Sequence, residues 1–151
     1  MNAIISADRV VLDVAATSQA EIFTAIAQRA VDLGIATDAD DVVAGLQERE
    51  AEGTTGLMDG VAIPHAKRTS ITEPAIVVFR TRVPVAWESL DGDPIRLAIS
   101  LLIPENEAGT THLKLLSQVA RGLMNAEVRT RLVAAPTPAA VVAELGPLVA
   151  T

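Results

Sequence analysis

The sequence predicts an α/β fold, a three-layer α/β/α sandwich around a mixed β-sheet of about four or five strands. Two segments, 75–81 and 95–103, are β-branched or apolar with little alternation, which is typical of strands buried on both faces. Segments with helical periodicity lie before and after them, so helices can cover both faces of the sheet. With 151 residues, half of them apolar, the chain is expected to form a single domain over residues 1–151.

Two consecutive helices are predicted in the first third of the chain. Ser18 and Glu21 form a capping box, and apolar residues then recur at helical spacing, which indicates a helix over about 19–33. Several capping side chains within 37–41 begin a second helix. Gly53 is the expected end of that helix.

A glycine-containing loop and short strands are predicted next. Residues 54–60 form the loop, and residues 61–63 form a strand that stops at Pro64, because the residue before a proline is extended and the proline ring restricts its own φ. His65 therefore lies at a strand end. Residues 83–87 are a further, shorter strand candidate between the two buried ones.

Three helices are predicted toward the carboxyl end. Thr110 or Thr111 caps the first of them, and His112 lies in its first turn. Residues 127–134 and 139–145 form two shorter helices, because the prolines between them would interrupt a continuous one. The order of elements places the chain in the three-layer class and leaves the strand topology open.

Composition excludes several classes of function. Twelve basic against nineteen acidic residues give a net charge of -7, so nucleic-acid binding through a broad basic surface is not expected. No apolar segment approaches the roughly 18–20 residues that cross a bilayer, and the first ten residues lack the pattern of a secretory leader. We therefore expect a cytoplasmic protein with no direct membrane insertion. The absence of cysteine excludes a thiolate nucleophile and a thiolate-bound metal.

His65 is the candidate nucleophile. Because it directly follows Pro64, its imidazole is expected on a stiff strand end beside a polar loop. In a chain without cysteine, a neutral imidazole with an unperturbed pKa of about 6.5 is the best nucleophile available. The alternative from the pattern alone is a loop histidine that has no role.

His112 is the other histidine and lies near a helix amino terminus. The helix dipole there disfavours the imidazolium form and favours a neutral ring that can assist at a phosphate. The alternative, which the spacing alone favours, is a histidine that covers a neighbouring strand. The two histidines lack the spacing of metal ligands, so no metal site is predicted.

Arg49 and Thr55 are candidates for holding a phosphate group. A guanidinium near the end of the second helix can bind phosphoryl oxygens with two parallel hydrogen bonds, although an arginine in such a polar run usually belongs to a salt bridge. Residues 54–56 supply hydroxyl groups and backbone amides, but they lack the pattern of a nucleotide-binding P-loop. Lys67 and Arg68 form a small basic patch that either meets an acidic partner or is solvated.

Two blocks of the sequence resemble one known family. The first resembles the active-site signature of the fructose/mannitol-type (type-2) IIA component of the bacterial phosphoenolpyruvate-dependent sugar phosphotransferase system. It consists of Arg49-Glu50-Ala51, Thr55-Gly56 and Gly60-Val61-Ala62-Ile63-Pro64-His65-Ala66. The second resembles the family's other characteristic block and consists of residues 90–95, 101–104 and 112–116. Met58 is a departure, since many members carry glycine at that position.

The resemblance implies a phosphoryl carrier in sugar uptake. His65 would accept a phosphoryl group on Nε2 from the carrier protein HPr and pass it to a IIB component, with a IIC membrane component involved only indirectly. Arg49 would neutralise the phosphoryl oxygens, His112 would lie beside His65, and Thr55 would contribute hydrogen bonds. No metal, nucleotide or other cofactor is implied.

The resemblance also leaves alternatives open. The blocks favour a fructose-type carrier, but nitrogen-type regulatory IIA proteins share them, and there phosphorylation of the histidine controls partner binding. A third interpretation keeps the fold without the chemistry, as in related interaction domains of anion transporters, and His65 argues against it. Because IIB components of this class use a cysteine, we expect a free-standing A unit or the A portion of a longer protein.

Overall fold

The computed structural model describes residues 4–107 and 110–149, without the side chains of 107 and 110–112, and these residues form a five-stranded mixed sheet between two layers of helices. The strands are β1 (Val10–Val14), β2 (Val61–Ala62), β3 (His65–Arg68), β4 (Ala75–Val85) and β5 (Ile95–Pro104). The helices are α1 (Gln19–Asp32), α2 (Ala39–Ala51), α3 (Thr110–Gly122), α4 (Ala126–Ala134) and α5 (Pro138–Val149). The predicted α/β fold class is confirmed.

The strand order places His65 on an edge of the sheet, next to β5. The order is β1-β4-β5-β2, and β3 also pairs with β5. β4 and β5 are antiparallel, whereas the other pairs are parallel. Val61 lies opposite Leu97 and His65 opposite Leu101, so β2 and β3 are successive parts of one strand with an unchanged register. The break between them includes Pro64.

Both faces of the sheet are buried, which explains the missing alternation in the two long strands. In β5, Ala98 and Leu102 pack in the cluster that contains α1 and α2. Leu97, Ile99 and Leu101 point to the other face, in the cluster that contains α3, α4 and α5. The sequence prediction of strands buried between helical layers is confirmed.

Three strand predictions need correction. Residues 83–87 do not form a separate strand, because β4 continues to Val85 with an irregular register after Arg80. The strand that was expected to stop at Pro64 resumes at His65. The prediction also lacks β1. Asp13 in this strand has a φ of 58° and lies where the register with β4 shifts. The strand is therefore irregular at this point.

The helices lie close to their predicted positions. The Ser18 side chain accepts from the backbone N–H of Glu21 at 3.1 Å and begins α1. Asp38 begins α2 in the same way, at 3.2 Å from the Asp41 N–H. α5 is longer than predicted and contains Pro147. Among the helices of the described residues, none combines the length and apolar character of a membrane span.

Candidate active site

The His65 ring is held by a backbone carbonyl two residues earlier in the chain. The residue is 6% exposed, and its Nδ1 lies 2.9 Å from the carbonyl oxygen of Ile63. Because a carbonyl only accepts hydrogen bonds, Nδ1 carries the proton in this contact. Nε2 is then the nitrogen with the lone pair.

Arg49 reaches His65 from the last turn of α2. Its Nε–H donates to His65 Nε2 at 3.0 Å, and its Nη1 donates to the carbonyl of Gly53 at 2.8 Å. The sequence places these two side chains sixteen positions apart, and the structure brings them into direct contact. Arg49 therefore contacts the candidate nucleophile directly, and its role at a phosphoryl group stays a prediction.

Thr55 is buried and does not line the cavity beside His65. It is 3% exposed, and its backbone N–H and hydroxyl donate to the Glu50 carboxylate at 2.9 and 2.6 Å. Its carbonyl accepts from the backbone N–H of Ile63 at 3.0 Å. The structure thus links Thr55 to the strand that leads to His65, and its contact with phosphate stays a prediction.

The loop before β2 is folded tightly against the β4–β5 connection. Gly56 forms isolated bridges to Ala62 and Ser89, and a Cβ on Gly56 would overlap the carbonyl oxygen of Glu88. Positive φ values fall on Asp59 (58°) and on Gly60 (80°), but not on Met58. The loop therefore does not require glycine at position 58, and Met58 is compatible with this conformation.

A cavity of about 400 Å³ opens beside Arg49 and His65. Most of its lining residues are charged, and the full lining consists of Gly45, Glu48, Arg49, Glu52, His65, Ala66, Lys67, Arg68 and Leu116. Arg68 forms ion pairs with Asp41 and Glu48, both at 2.6 Å. The predicted basic patch is therefore divided, because Arg68 is paired within the chain while Lys67 is exposed at the cavity.

The Arg68 ion pair also shifts titrations at this edge of the site. The hydrogen bond from Arg68, followed by the one from Ser70, holds the pKa of the Asp41 carboxyl below its ordinary value. Conversely, the hydrogen bond to Asp41 raises the pKa of Arg68. Arg68 is thus paired with two carboxylates of the chain, whereas the Arg49 guanidinium contacts His65.

His112 lies in the first turn of α3, and its side chain lies outside the described residues. Its role as a second site histidine therefore stays a prediction. Leu116, from the same helix, lines the cavity. In the part of the chain that the structure describes, no three histidine, aspartate or glutamate side chains come together in a way that could hold a metal ion.

Sequence reasoning missed Glu50. Its carboxylate accepts both Thr55 donors and the indole N–H of Trp87, the last at 3.2 Å. The only sequence signal was its place directly after Arg49 in the first block, which does not indicate what the carboxylate contacts. The arrangement of His65, with a carbonyl on Nδ1 and an arginine on Nε2, is compatible with phosphorylation of the histidine.

Comparison with known proteins identifies the family. The profile of the family described as phosphoenolpyruvate-dependent sugar phosphotransferase system, EIIA 2, matches residues 3–146. The chain belongs to this family, which confirms the resemblance seen in its two sequence blocks. Members of the family are phosphotransfer components, so a general phosphotransferase role follows from membership.

Relatives with different physiological roles are similar to this chain. It is 36% identical over 132 residues to the PTS system 2-O-alpha-mannosyl-D-glycerate-specific EIIABC component of Escherichia coli, a match that covers 87% of this chain and 20% of that protein. It is 37% identical over 106 residues to the fructose-specific EIIA component of Haloferax volcanii (70% and 68% covered). It is 42% identical over 100 residues to the nitrogen regulatory protein of Pseudomonas aeruginosa (66% and 64% covered).

Solved structures share the fold over nearly the whole chain. The nitrogen regulatory protein IIA-Ntr of Neisseria meningitidis superimposes with a TM-score of 0.85 at 32% identity, covering 94% of this chain and 96% of that one. The IIAMtl protein of Escherichia coli, in a complex with phosphorylated IIBMtl, superimposes with a TM-score of 0.78 at 19% identity, covering 95% and 97%. The second likeness concerns the fold alone.

Proposed function

We propose that this chain is a phosphoryl carrier that accepts a phosphoryl group from phospho-HPr on His65 Nε2 and passes it to a IIB component. The observation that carries the proposal is the ring geometry: the bond from Nδ1 to the Ile63 carbonyl leaves the lone pair on Nε2. Family membership over residues 3–146 supports the same assignment.

The proposed transfer is an in-line displacement at phosphorus. Nε2 of His65 attacks, the new N–P bond forms, and the N–P bond of the donor histidine breaks, with its electron pair returning to the donor imidazole. In the second step a cysteine thiolate of IIB forms an S–P bond, and the electron pair of the N–P bond returns to His65. Such a reaction needs positioning and charge stabilisation more than covalent machinery.

In this proposal Arg49 contacts His65 before the transfer and the phosphoryl oxygens during it. Its Nε–H now donates to the lone pair that must attack phosphorus, so the guanidinium has to turn away from Nε2 as the donor arrives. A small rotation about Nη1, which is held by the Gly53 carbonyl, would bring the same N–H groups onto the phosphoryl oxygens. Arg49 would then offset the negative charge that His65 acquires.

Two physiological roles are compatible with this chemistry. The fructose-specific relative and the mannosylglycerate-specific relative support sugar uptake, with IIB as the acceptor and IIC acting indirectly. The similar IIAMtl structure, which contains phosphorylated IIBMtl, supports the IIB acceptor for this fold. The second candidate is nitrogen-type regulation, favoured by the 42% identity to a nitrogen regulatory protein and by the IIA-Ntr structure.

The deciding experiment is a mass measurement on the intact protein. After incubation with phosphoenolpyruvate, enzyme I and HPr, we expect one acid-labile phosphoryl adduct in the wild type and none in His65→Ala. Circular dichroism of the variant controls for folding. An equal adduct on both proteins would contradict the assignment of His65. Onward transfer to IIB supports sugar uptake, and a phosphorylated protein that transfers to no IIB supports regulation.

A further inference from the structure

The carboxylate of Glu50 accepts hydrogen bonds from two separate segments. The backbone N–H and the hydroxyl of Thr55 donate to it at 2.9 and 2.6 Å, and the indole N–H of Trp87 donates at 3.2 Å. The backbone carbonyl of Glu50 also accepts the N–H of Gly53 at 3.2 Å. Glu50 therefore closes the turn formed by residues 50–55 with both its backbone and its side chain.

Trp87 connects this turn to the hydrophobic core. Trp87 is 7% exposed, and its ring meets the ring of Phe23 edge to face, with centroids 5.5 Å apart. Phe23 belongs to α1 and is itself buried. The position of the 50–55 turn is thus set by the packed core as well as by the end of α2.

The turn carries the acceptor that orients Arg49. The Gly53 carbonyl accepts from Arg49 Nη1 at 2.8 Å, while Nε of the same guanidinium donates to His65. Gly53 lies between Glu50 and Thr55 in the sequence, so the bonds between those two residues restrict where its carbonyl lies. Because the guanidinium is planar and rigid, the acceptor on Nη1 limits where Nε can lie and serves as the pivot when the group turns toward a phosphoryl group.

We propose that Glu50 is a positioning residue for phosphoryl transfer at His65. The inference rests on the proposed function and adds a residue to it. In this proposal Glu50 acts through the 50–55 turn and the guanidinium of Arg49. The Thr55 hydroxyl donates its hydrogen bond to Glu50. In this proposal Thr55 therefore supports the turn and does not donate a hydrogen bond from that hydroxyl to the phosphoryl group.

Glu50→Gln tests the proposal, because the neutral amide weakens the charge-assisted bonds to both N–H donors, which share Oε2, and its NH2 group at the Oε1 position cannot accept from the Thr55 hydroxyl. We expect the rate of His65 phosphorylation at saturating phospho-HPr to fall about 10- to 100-fold. The half-saturating concentration of phospho-HPr should stay within about twofold, since the Glu50 carboxylate is engaged inside the chain. Glu127→Gln, the same charge change on the exposed surface of α4, is the matched control.

A double-mutant cycle separates positioning from a general structural effect. In an Arg49→Ala background, Glu50→Gln should change the rate less than about twofold, because its target is already absent. The same fold-loss in both backgrounds would overturn the proposal, as would a wild-type rate for Glu50→Gln. Either result would leave the carrier function intact.

A second readout does not depend on phosphoryl transfer. In the wild type, the Nε–H of Arg49 should exchange slowly with water in ¹⁵N NMR spectra, and in Glu50→Gln it should exchange faster. If the wild type accepts no phosphoryl group, the proposed function fails, yet this comparison still decides whether Glu50 positions Arg49. Unchanged exchange in Glu50→Gln overturns the positioning role.

Trp87→Phe provides a milder variant in case Glu50→Gln does not fold. It removes one donor to the carboxylate and keeps an aromatic ring against Phe23. Phosphorylation should slow less than in Glu50→Gln, and this loss should also disappear in the Arg49→Ala background. A folded Trp87→Phe variant with the wild-type rate and unchanged exchange of the Arg49 Nε–H would contradict the proposal.

Discussion

At the scale of single residues, the site is defined by which hydrogen-bonding group each ring nitrogen of His65 meets. The Ile63 carbonyl selects the tautomer, and the Arg49 guanidinium faces the remaining lone pair. The two contacts also restrict rotation of the ring, so Nε2 is presented in one direction before a partner arrives. In the proposed transfer, this preorganisation would reduce the loss of entropy on reaching the transition state.

Substitution of Arg49 tests its electrostatic and geometric contributions separately. Arg49→Ala should lower the phosphorylation rate about 100-fold, the order found when one preorganised donor to a developing anion is removed. Arg49→Lys keeps the charge but loses the planar fork, because an ammonium cannot span Gly53 and His65 with the same geometry. We expect an intermediate rate in quenched-flow assays. A Lys variant as fast as the wild type would show that charge alone is sufficient.

At the scale of elements, the site depends on the close approach of the 54–60 loop to the β4–β5 connection. Gly56 makes this approach possible, because its missing Cβ leaves room for the Glu88 carbonyl and for Ser89 Cα, which a Cβ would approach to 2.9 Å. The hydroxyl of Thr54 donates to the same Glu88 carbonyl. The loop that leads to His65 is therefore packed backbone against backbone.

Gly56→Ala should destabilise the protein by about 1–3 kcal/mol, since an added methyl group in a closely packed region forces the backbone apart. Gly146→Ala is the matched control, because Gly146 lies in α5 with open space around its Cβ position. The control should raise stability by about 0.5–1 kcal/mol through its helix propensity. Urea unfolding measures both changes, and equal effects of the two substitutions would contradict the packing argument.

The start of α2 is tied to β3 by a pH-dependent contact. Asp41 accepts from Arg68 and Ser70, and these bonds hold its pKa below the ordinary value. The stabilisation by ionised Asp41 is therefore complete above about pH 4, which is the pKa of an aspartate in the unfolded chain. It is lost as the pH falls through the lower pKa that Asp41 has in the folded protein. Asp41→Asn should cost about 1 kcal/mol at neutral pH, a small value because the pair is partly exposed.

Unfolding of this variant in urea should be compared with the wild type at neutral pH and at about pH 2, where the difference between the two should shrink toward zero. Asp40→Asn is the matched control, because Asp40 is an exposed carboxylate in the same first turn of α2. It should have a smaller effect at neutral pH. A stability difference for Asp41→Asn that stays constant with pH would refute the role of the ionised pair.

At the scale of the whole molecule, the sheet brings together segments that are distant in sequence. β3 lies along β5 and packs against α2, so the histidine strand and the arginine helix border one cavity. Leu116 from α3 closes the same cavity from the other helical layer. In the proposed transfer, every partner that exchanges a phosphoryl group with His65 Nε2 would approach through this cavity.

HPr and IIB are therefore expected to compete for this surface. Each must bring its own nucleophile in line with the same Nε2 atom, which leaves no room for both proteins at once. In an NMR titration of the labelled chain, addition of IIB should displace bound HPr, and resonances around the cavity should respond to both. A stable ternary complex with both proteins bound would rule out a shared surface.

Local sequence patterns determined much of this protein. Helix caps, the two apolar strands and the Pro64-His65 pair depend on neighbours within a few residues, so the three-layer fold class and the candidate nucleophile follow from the sequence. Arg49 was a candidate from residue type and position, and the two sequence blocks indicated the family. β1 was missed because Asp13 breaks its pattern at the edge of the sheet.

Only the tertiary structure decided which side chains meet. Arg49 contacts His65, Arg68 pairs with Asp41, and Glu50 joins Thr55 to Trp87, over separations of five to thirty-seven residues. Such contacts depend on strand register and helix packing, which no local pattern encodes. The sequence thus determined the chemical groups and the class of fold, while packing of α2 against β3 decided that the Arg49 guanidinium lies on Nε2 of His65.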